Sequence, residues 1–208
     1  MGLAHESVLS KPEPGTPLEY STEDSVLKII GFWLFISTDL ILFSCLFATY
    51  LILRANTAGG PTEAQLFDVP TFTAETLILL TSSFTCGLAT FQMRRGQRGW
   101  LMVWLVITIL LGLSFVGLEV NEFVKYATHG APISRSAFLS GFFTLVGTHG
   151  CHVSMGILWM LSILFQLGRY GITAITARKM FIVGLYWHFL DVVWVFIFTV
   201  VYLPGVMS

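Results

Sequence analysis

The chain has 208 residues, of which 55% are hydrophobic and only 11% charged, and its mean hydropathy is +0.78. So few charges cannot clothe that much apolar surface in water, which excludes an ordinary soluble globule. A formal net charge of -1 provides no basic face, which excludes nucleic acid as a partner.

Residues 1–26 carry five acids, one lysine (Lys11) and prolines at positions 12, 14 and 17, the composition of a solvated tail without a core. The tail lacks the basic start, apolar stretch and cleavage site of a secretory signal, so the first membrane helix is expected to direct insertion. Five apolar runs follow, at about 27–53, 72–93, 100–126, 136–167 and 180–203, each above the ~20 residues that span hydrocarbon. Turn residues separate them, at Asn56–Pro61, Arg94–Gly99, His129–Pro132 and Gly168–Gly171. The pattern predicts a polar tail (1–26) and an all-α integral membrane bundle of five transmembrane helices (27–208). No internal repeat marks the paired halves of a transporter.

Eight bases (Lys11, Lys28, Arg94, Arg95, Arg98, Arg169, Arg178, Lys179) fall on one side of this bundle and three (Arg54, Lys125, Arg135) on the other. The bias predicts a cytoplasmic N-terminus and an external C-terminus, with the acids Glu63, Asp68 and Glu75 grouped outside. Cys45, Cys86 and Cys151 lie singly in apolar runs and read as small core residues, with neither a disulfide framework nor a thiolate metal site.

Some polar residues fall inside the runs. Asp39 lies eleven residues after Lys28 and fifteen before Arg54, near the bilayer midplane, where a carboxylate costs ~2.5–3.5 kcal/mol or more. It is expected to point into the bundle, a partner or a wet cleft, either as a hydrogen-bonded acid in a helix contact or as a proton- or headgroup-binding group. Glu119 and Glu122 share a face; Glu122 is expected at headgroup level and Glu119 deeper, in a buried polar contact. His149 and His152 also share a face and could offer two imidazoles to a metal or haem. The stripe Ser140, Thr144, Thr148, His152, Gly156 favours instead close helix packing with hydrogen bonds across helices. His188 and Asp191, flanked by Trp187 and Trp194, suit an intrahelical hydrogen bond, serving as a relay or as a clamp. H-E-x-x-H, G-x-S-x-G, the P-loop and the dinucleotide fingerprint are all missing, so no catalytic, cofactor or metal site is assigned to the chain itself.

Gly31-Phe32-Trp33, Ser44–Tyr50 (SCLFATY), Thr57–Pro61 (TAGGP), Val146–Val153 (VGTHGCHV) and Tyr186–Trp194 (YWHFLDVVW) strongly resemble subunit III of haem-copper terminal oxidases, from about residue 27 onward. The likeness is strongest to the bo-type ubiquinol oxidase form, which has five helices. The resemblance implies a subunit without redox centres, beside a catalytic subunit I that carries the haems and copper, with subunits II and IV as further partners. The complex it implies is a multi-pass assembly of the bacterial inner membrane that oxidises ubiquinol, reduces oxygen to water and pumps protons in the respiratory chain. It further implies phospholipid bound between the helices and a role in assembly and stability. Asp39 stands where cytochrome c oxidase relatives carry a carbodiimide-reactive Glu. The competing readings are an independent haem protein using His149, His152 and His188, and a small proton conductor or transporter using Asp39, Glu119 and Asp191. Three membrane histidines are too few for two haems and a copper.

Overall fold

The computed structural model describes residues 17–21, 23–57, 69–128 and 133–207. Five long helices are formed: α1 (Glu23–Leu53), α2 (Val69–Arg94), α3 (Arg98–Thr128), α4 (Ala137–Tyr170) and α5 (Ala174–Ile197). The last continues through a π-helical turn, Phe198–Tyr202, into a final helical turn, Leu203–Met207. All five are long and apolar enough to cross a membrane, the fifth as Ala174–Gly205.

The helices outrun the apolar runs where side chains finish their ends. Ser136 is not the first residue of α4 but its cap, its hydroxyl accepting from the Leu139 N–H. Thr173 and Thr176 form a reciprocal capping box, so α5 starts six residues before the apolar run at Met180. Gly171, at φ 72, ends α4 in a backbone conformation that a Cβ disfavours.

In lipid, helices associate through close packing and hydrogen bonds, since hydrocarbon is as apolar as leucine. Here α2 packs on α3, α3 on α4, and α1 on α4, while α5 packs against α1, α2 and α4. Because α1 and α2 share no substantial contact among the described residues, α5 shows an outward strip between them. The Trp187 indole is the centre of the packing. A Cβ at Gly112 of α3 would meet its Cη2 at 2.8 Å, and one at Gly156 of α4 would meet its Cζ3 at 3.1 Å. Gly156 thus serves the close approach expected of its stripe. Two indole N–H groups tie α5 to α2: Trp187 donates to Ser82 Oγ at 3.0 Å and Trp194 to Thr76 Oγ1 at 3.1 Å.

Two expectations change. Residues 1–16 of the expected tail lie outside the described residues, but Leu18–Tyr20 forms a 3-10 turn docked on the bundle. Glu19 is buried and pairs with Arg94 at 2.9 Å, and Tyr20 packs edge-on against Phe181. A long-range ion pair holds this segment, which local composition cannot show. Cys86 is buried as expected, whereas Cys45 and Cys151 are on the outer surface, where lipid accepts a small apolar side chain as readily as a core does.

Candidate functional site

The polar residues of the membrane helices gather in three sets, all touching α4 or α5. In the first, Asp39 of α1 is 7% exposed and its Oδ2 lies 3.8 Å from His152 Nε2 on α4. His152 Nδ1 is 2.7 Å from the Thr148 carbonyl; a carbonyl only accepts, so this nitrogen carries the proton. Nε2 is therefore left facing the Asp39 carboxyl, beyond hydrogen-bond distance. The Tyr186 hydroxyl donates to the His152 carbonyl at 3.2 Å, and the Phe43 ring lies 5.2 Å from the imidazole.

The second set fills the space between α2, α3, α4 and the end of α5. His149 is fully buried, donates from Nε2 to the Leu190 carbonyl at 3.2 Å and is enclosed by Phe115 and Trp194, at 5.8 Å and 5.2 Å between ring centroids. Because it turns to α5 while His152 turns to α1, the two imidazoles do not converge on one ligand despite their shared face. One residue on, Gly150 lets the Glu119 carboxyl lie against the α4 backbone. Glu119 is 3% exposed, and its Oε1 has no hydrogen-bond partner among the described residues. Glu122, expected at headgroup level, is buried as well: Tyr126 donates to its Oε1 and Tyr202 to its Oε2, the latter at 3.3 Å. Glu75, grouped above with the exterior acids, is 0% exposed and faces Glu122 and Glu119.

The third set joins α2 to α5. His188 Nδ1 is 2.8 Å from Ser83 Oγ and only 3.9 Å from Asp191 Oδ2, so the expected intrahelical hydrogen bond is replaced by one across helices. Asp191 is buried, and neither of its oxygens has a hydrogen-bond partner among the described residues. Those residues contain no group of three His, Cys, Asp or Glu side chains arranged to hold a metal ion.

Sequence reasoning missed Glu75, Tyr126, Tyr202, Ser82 and Ser83. The signal for Glu75 and Ser82 was present: with Phe72, Leu79 and Cys86 they form the three- and four-residue spacing of the buried stripe of α2. Tyr202 is reached only through the π turn, which shifts the register of the last residues of α5.

These features define a class: a five-span helical membrane protein whose intramembrane acids and histidines mostly tie its own helices together. Residues 22–206 match the family profile of cytochrome c oxidase subunit III. The chain is 54% identical to the quinol oxidase subunit 3 of Bacillus subtilis strain 168, over 91% of this chain and 93% of that one. It is 47% identical to the cytochrome bo(3) ubiquinol oxidase subunit 3 of Pseudomonas aeruginosa, over 94% and 93%. Against the cytochrome c oxidase subunit 3 of Bacillus sp. strain PS3 it is 44% identical over 99% of both chains. The chain belongs to the cytochrome c oxidase subunit III family.

Proposed function

We propose that this chain is the redox-silent third subunit of a proton-translocating terminal oxidase that takes electrons from quinol. It docks beside the catalytic subunit that carries the haems and copper, with subunits II and IV completing the complex in a bacterial cytoplasmic membrane. The observation that carries the reading is the 54% identity to a quinol oxidase subunit 3 along nearly the full length of both chains. The geometry supports a redox-silent role: His149 is committed to the Leu190 carbonyl, His152 to its own helix and Asp39, and His188 to Ser83, three separate places where a haem or copper would need convergence. The cytoplasmic N-terminus rests on the base count alone.

Phospholipid is held, in this reading, by the groove of about 620 Å³ between α1 and α5, lined by Leu40, Phe43, Phe47, Phe189 and Phe196 among others. One acyl chain fits such a wall, and Asp39 lies on α1 between the lining residues Ile36 and Phe43. Asp39→Ala is expected to lower lipid and partner retention more than the initial rate of oxygen consumption. Immediate loss of turnover in an intact complex would argue for a proton-path role instead.

The test of the main reading is affinity capture of the tagged chain from gently solubilised membranes. A large haem-bearing subunit is expected with it; recovery of a stable, haem-free single chain would overturn it, and a Soret band in the isolated chain would revive an independent haem protein. The relative from strain PS3 favours a second reading, an oxidase fed by cytochrome c. Oxygen consumption by the captured complex with quinol or with reduced cytochrome c separates the two.

A further inference from the structure

We propose that the outward strip of α5 centred on His188, with the flank of α2 beside it, seats a transmembrane helix of another oxidase subunit, and that His188 Nε2 hydrogen-bonds to that helix. The inference rests on the subunit reading above and adds the face and the residue.

Depth is the first argument. His188 lies 14 residues after Ala174 and 17 before Gly205 in a span of 32 residues, about 21 Å and 25 Å from its two ends at ~1.5 Å per residue. Its side chain is nonetheless 46% exposed, at a level where the only solvent is hydrocarbon. Polar side chains at this depth turn to the bundle interior or to a partner.

Chemistry is the second. Other exposed polar side chains of the spans, Ser37, Thr38, Ser44, Thr81 and Ser114, return their hydroxyls to carbonyls of their own helices and so face lipid satisfied. An imidazole cannot do this with both nitrogens. Ser83 engages Nδ1, which fixes the ring, and Nε2 on its far side has no hydrogen-bond partner among the described residues. Behind it, Asp191 is 6% exposed, its carboxyl within reach of the Ser83 hydroxyl but with neither oxygen in a hydrogen bond of normal geometry among those residues. The strip thus carries a polar centre that this chain leaves incomplete.

Shape is the third. Among the described residues α1 and α2 share no substantial contact, so α5 is open between them. A Cβ at Gly87, one turn along α2 from Ser83, would meet nothing within 4 Å, and Phe84 and Val192 on either side of His188 are exposed. An apolar helix bearing one hydrogen-bonding side chain matches this surface. The proposed lipid groove adjoins this strip: its lining begins at Val192, about 40° round α5 from His188, and runs on to Phe189, Val193 and Phe196 at about 80–140°.

The test is photo-crosslinking in membranes that contain the whole complex, with a photoreactive phenylalanine analogue placed at Phe84 or at Val195, exposed on the His188 face of α5, and at Leu158 or Phe165 on the outward face of α4 as controls. The expected result is a covalent product with another oxidase subunit from positions 84 and 195 and not from the controls. His188→Leu, inserted at normal level, should lower co-recovery of that subunit about 3- to 15-fold, the span of one interhelical hydrogen bond, while His188→Gln, which keeps a donor and an acceptor, should retain it. Lipid adducts or a second copy of this chain at 84 and 195, or unchanged retention in His188→Leu, would overturn the proposal and leave the subunit reading standing. Should His188→Leu fail to insert, the crosslinks of the otherwise native chain decide. If the tagged native chain captures no oxidase subunit at all, the subunit reading itself fails, and this proposal with it.

Discussion

Gly150 offers a sharp test of the contact between α3 and α4. A Cβ at this position would lie 2.6 Å from Glu119 Oε1 and 2.7 Å from its Cδ, and would overlap Oε2 as well, whereas ordinary contact begins at 3.4 Å. The carboxyl would have to retreat by nearly 1 Å, into a space already faced by Glu75 and Glu122. Overpacking of this kind costs about 1–3 kcal/mol. Taking about 2 kcal/mol, and about 2–4 °C per kcal/mol for a chain of this size, Gly150→Ala should lower the unfolding midpoint by about 4–8 °C. The assay is thermal unfolding of the detergent-solubilised complex, followed by loss of helix signal and by release of this subunit. Glu119→Ala in the same chain removes the colliding atoms and should recover most of the loss, a coupling of about 1 kcal/mol or more. A Gly150→Ala chain that melts with the native one, or a double variant whose losses simply add, would refute the close approach.

Trp187→Ala should be the most damaging apolar truncation, about 3–5 kcal/mol in unfolding measurements, because the void opens between Gly112 and Gly156, which cannot fill it; Trp187→Phe, losing chiefly the bond to Ser82, should cost much less. Tyr202→Phe removes the donor 3.3 Å from Glu122 Oε2 and should cost about 0.6–1.7 kcal/mol. Adding Tyr126→Phe should exceed the sum of the single losses, since Glu122 then loses both phenols. Arg94→Ala should free the Pro17–Ser21 segment by leaving the buried Glu19 unpaired, seen as faster limited proteolysis ahead of α1 with the remaining fold protected.

The number of spans was legible because hydrocarbon imposes one requirement, about twenty apolar residues with an internally satisfied backbone, and five runs meet it. Helix ends were less so: α5 begins at Ala174 because of hydroxyl caps that an apolar count ignores. In the candidate site the sequence singled out Asp39, Glu119, His149, His152, His188 and Asp191 as costly in lipid, but not what each touches. His149 and His152 share a face by spacing yet reach different helices, and His188 passes over Asp191 for Ser83, choices made by neighbours far away in the chain. Glu75 was counted only by side of the bundle, which leaves out the helical phase that puts it on the buried stripe with Phe72 and Leu79.

The contacts of α5 explain why a bundle with little hydrophobic drive between its helices adopts one register. Trp187 and His188 of α5 meet the adjacent Ser82 and Ser83 of α2, and about two turns on Trp194 meets Thr76, the partner number falling between these two levels as antiparallel helices require. A slide of one turn along α2 would break all three bonds together. It would also draw Leu190 from under His149 and Tyr202 from Glu122. Each bond is modest, about 0.6–1.7 kcal/mol in a membrane, but they share one degree of freedom, so the alternative register loses all of them. The same lock fixes the His188 ring through Ser83, which is why an imidazole at mid-depth can be presented outward in a single orientation. An interface read from that orientation needs the register of α5 to be held first, and the indole and hydroxyl pairs along α2 hold it.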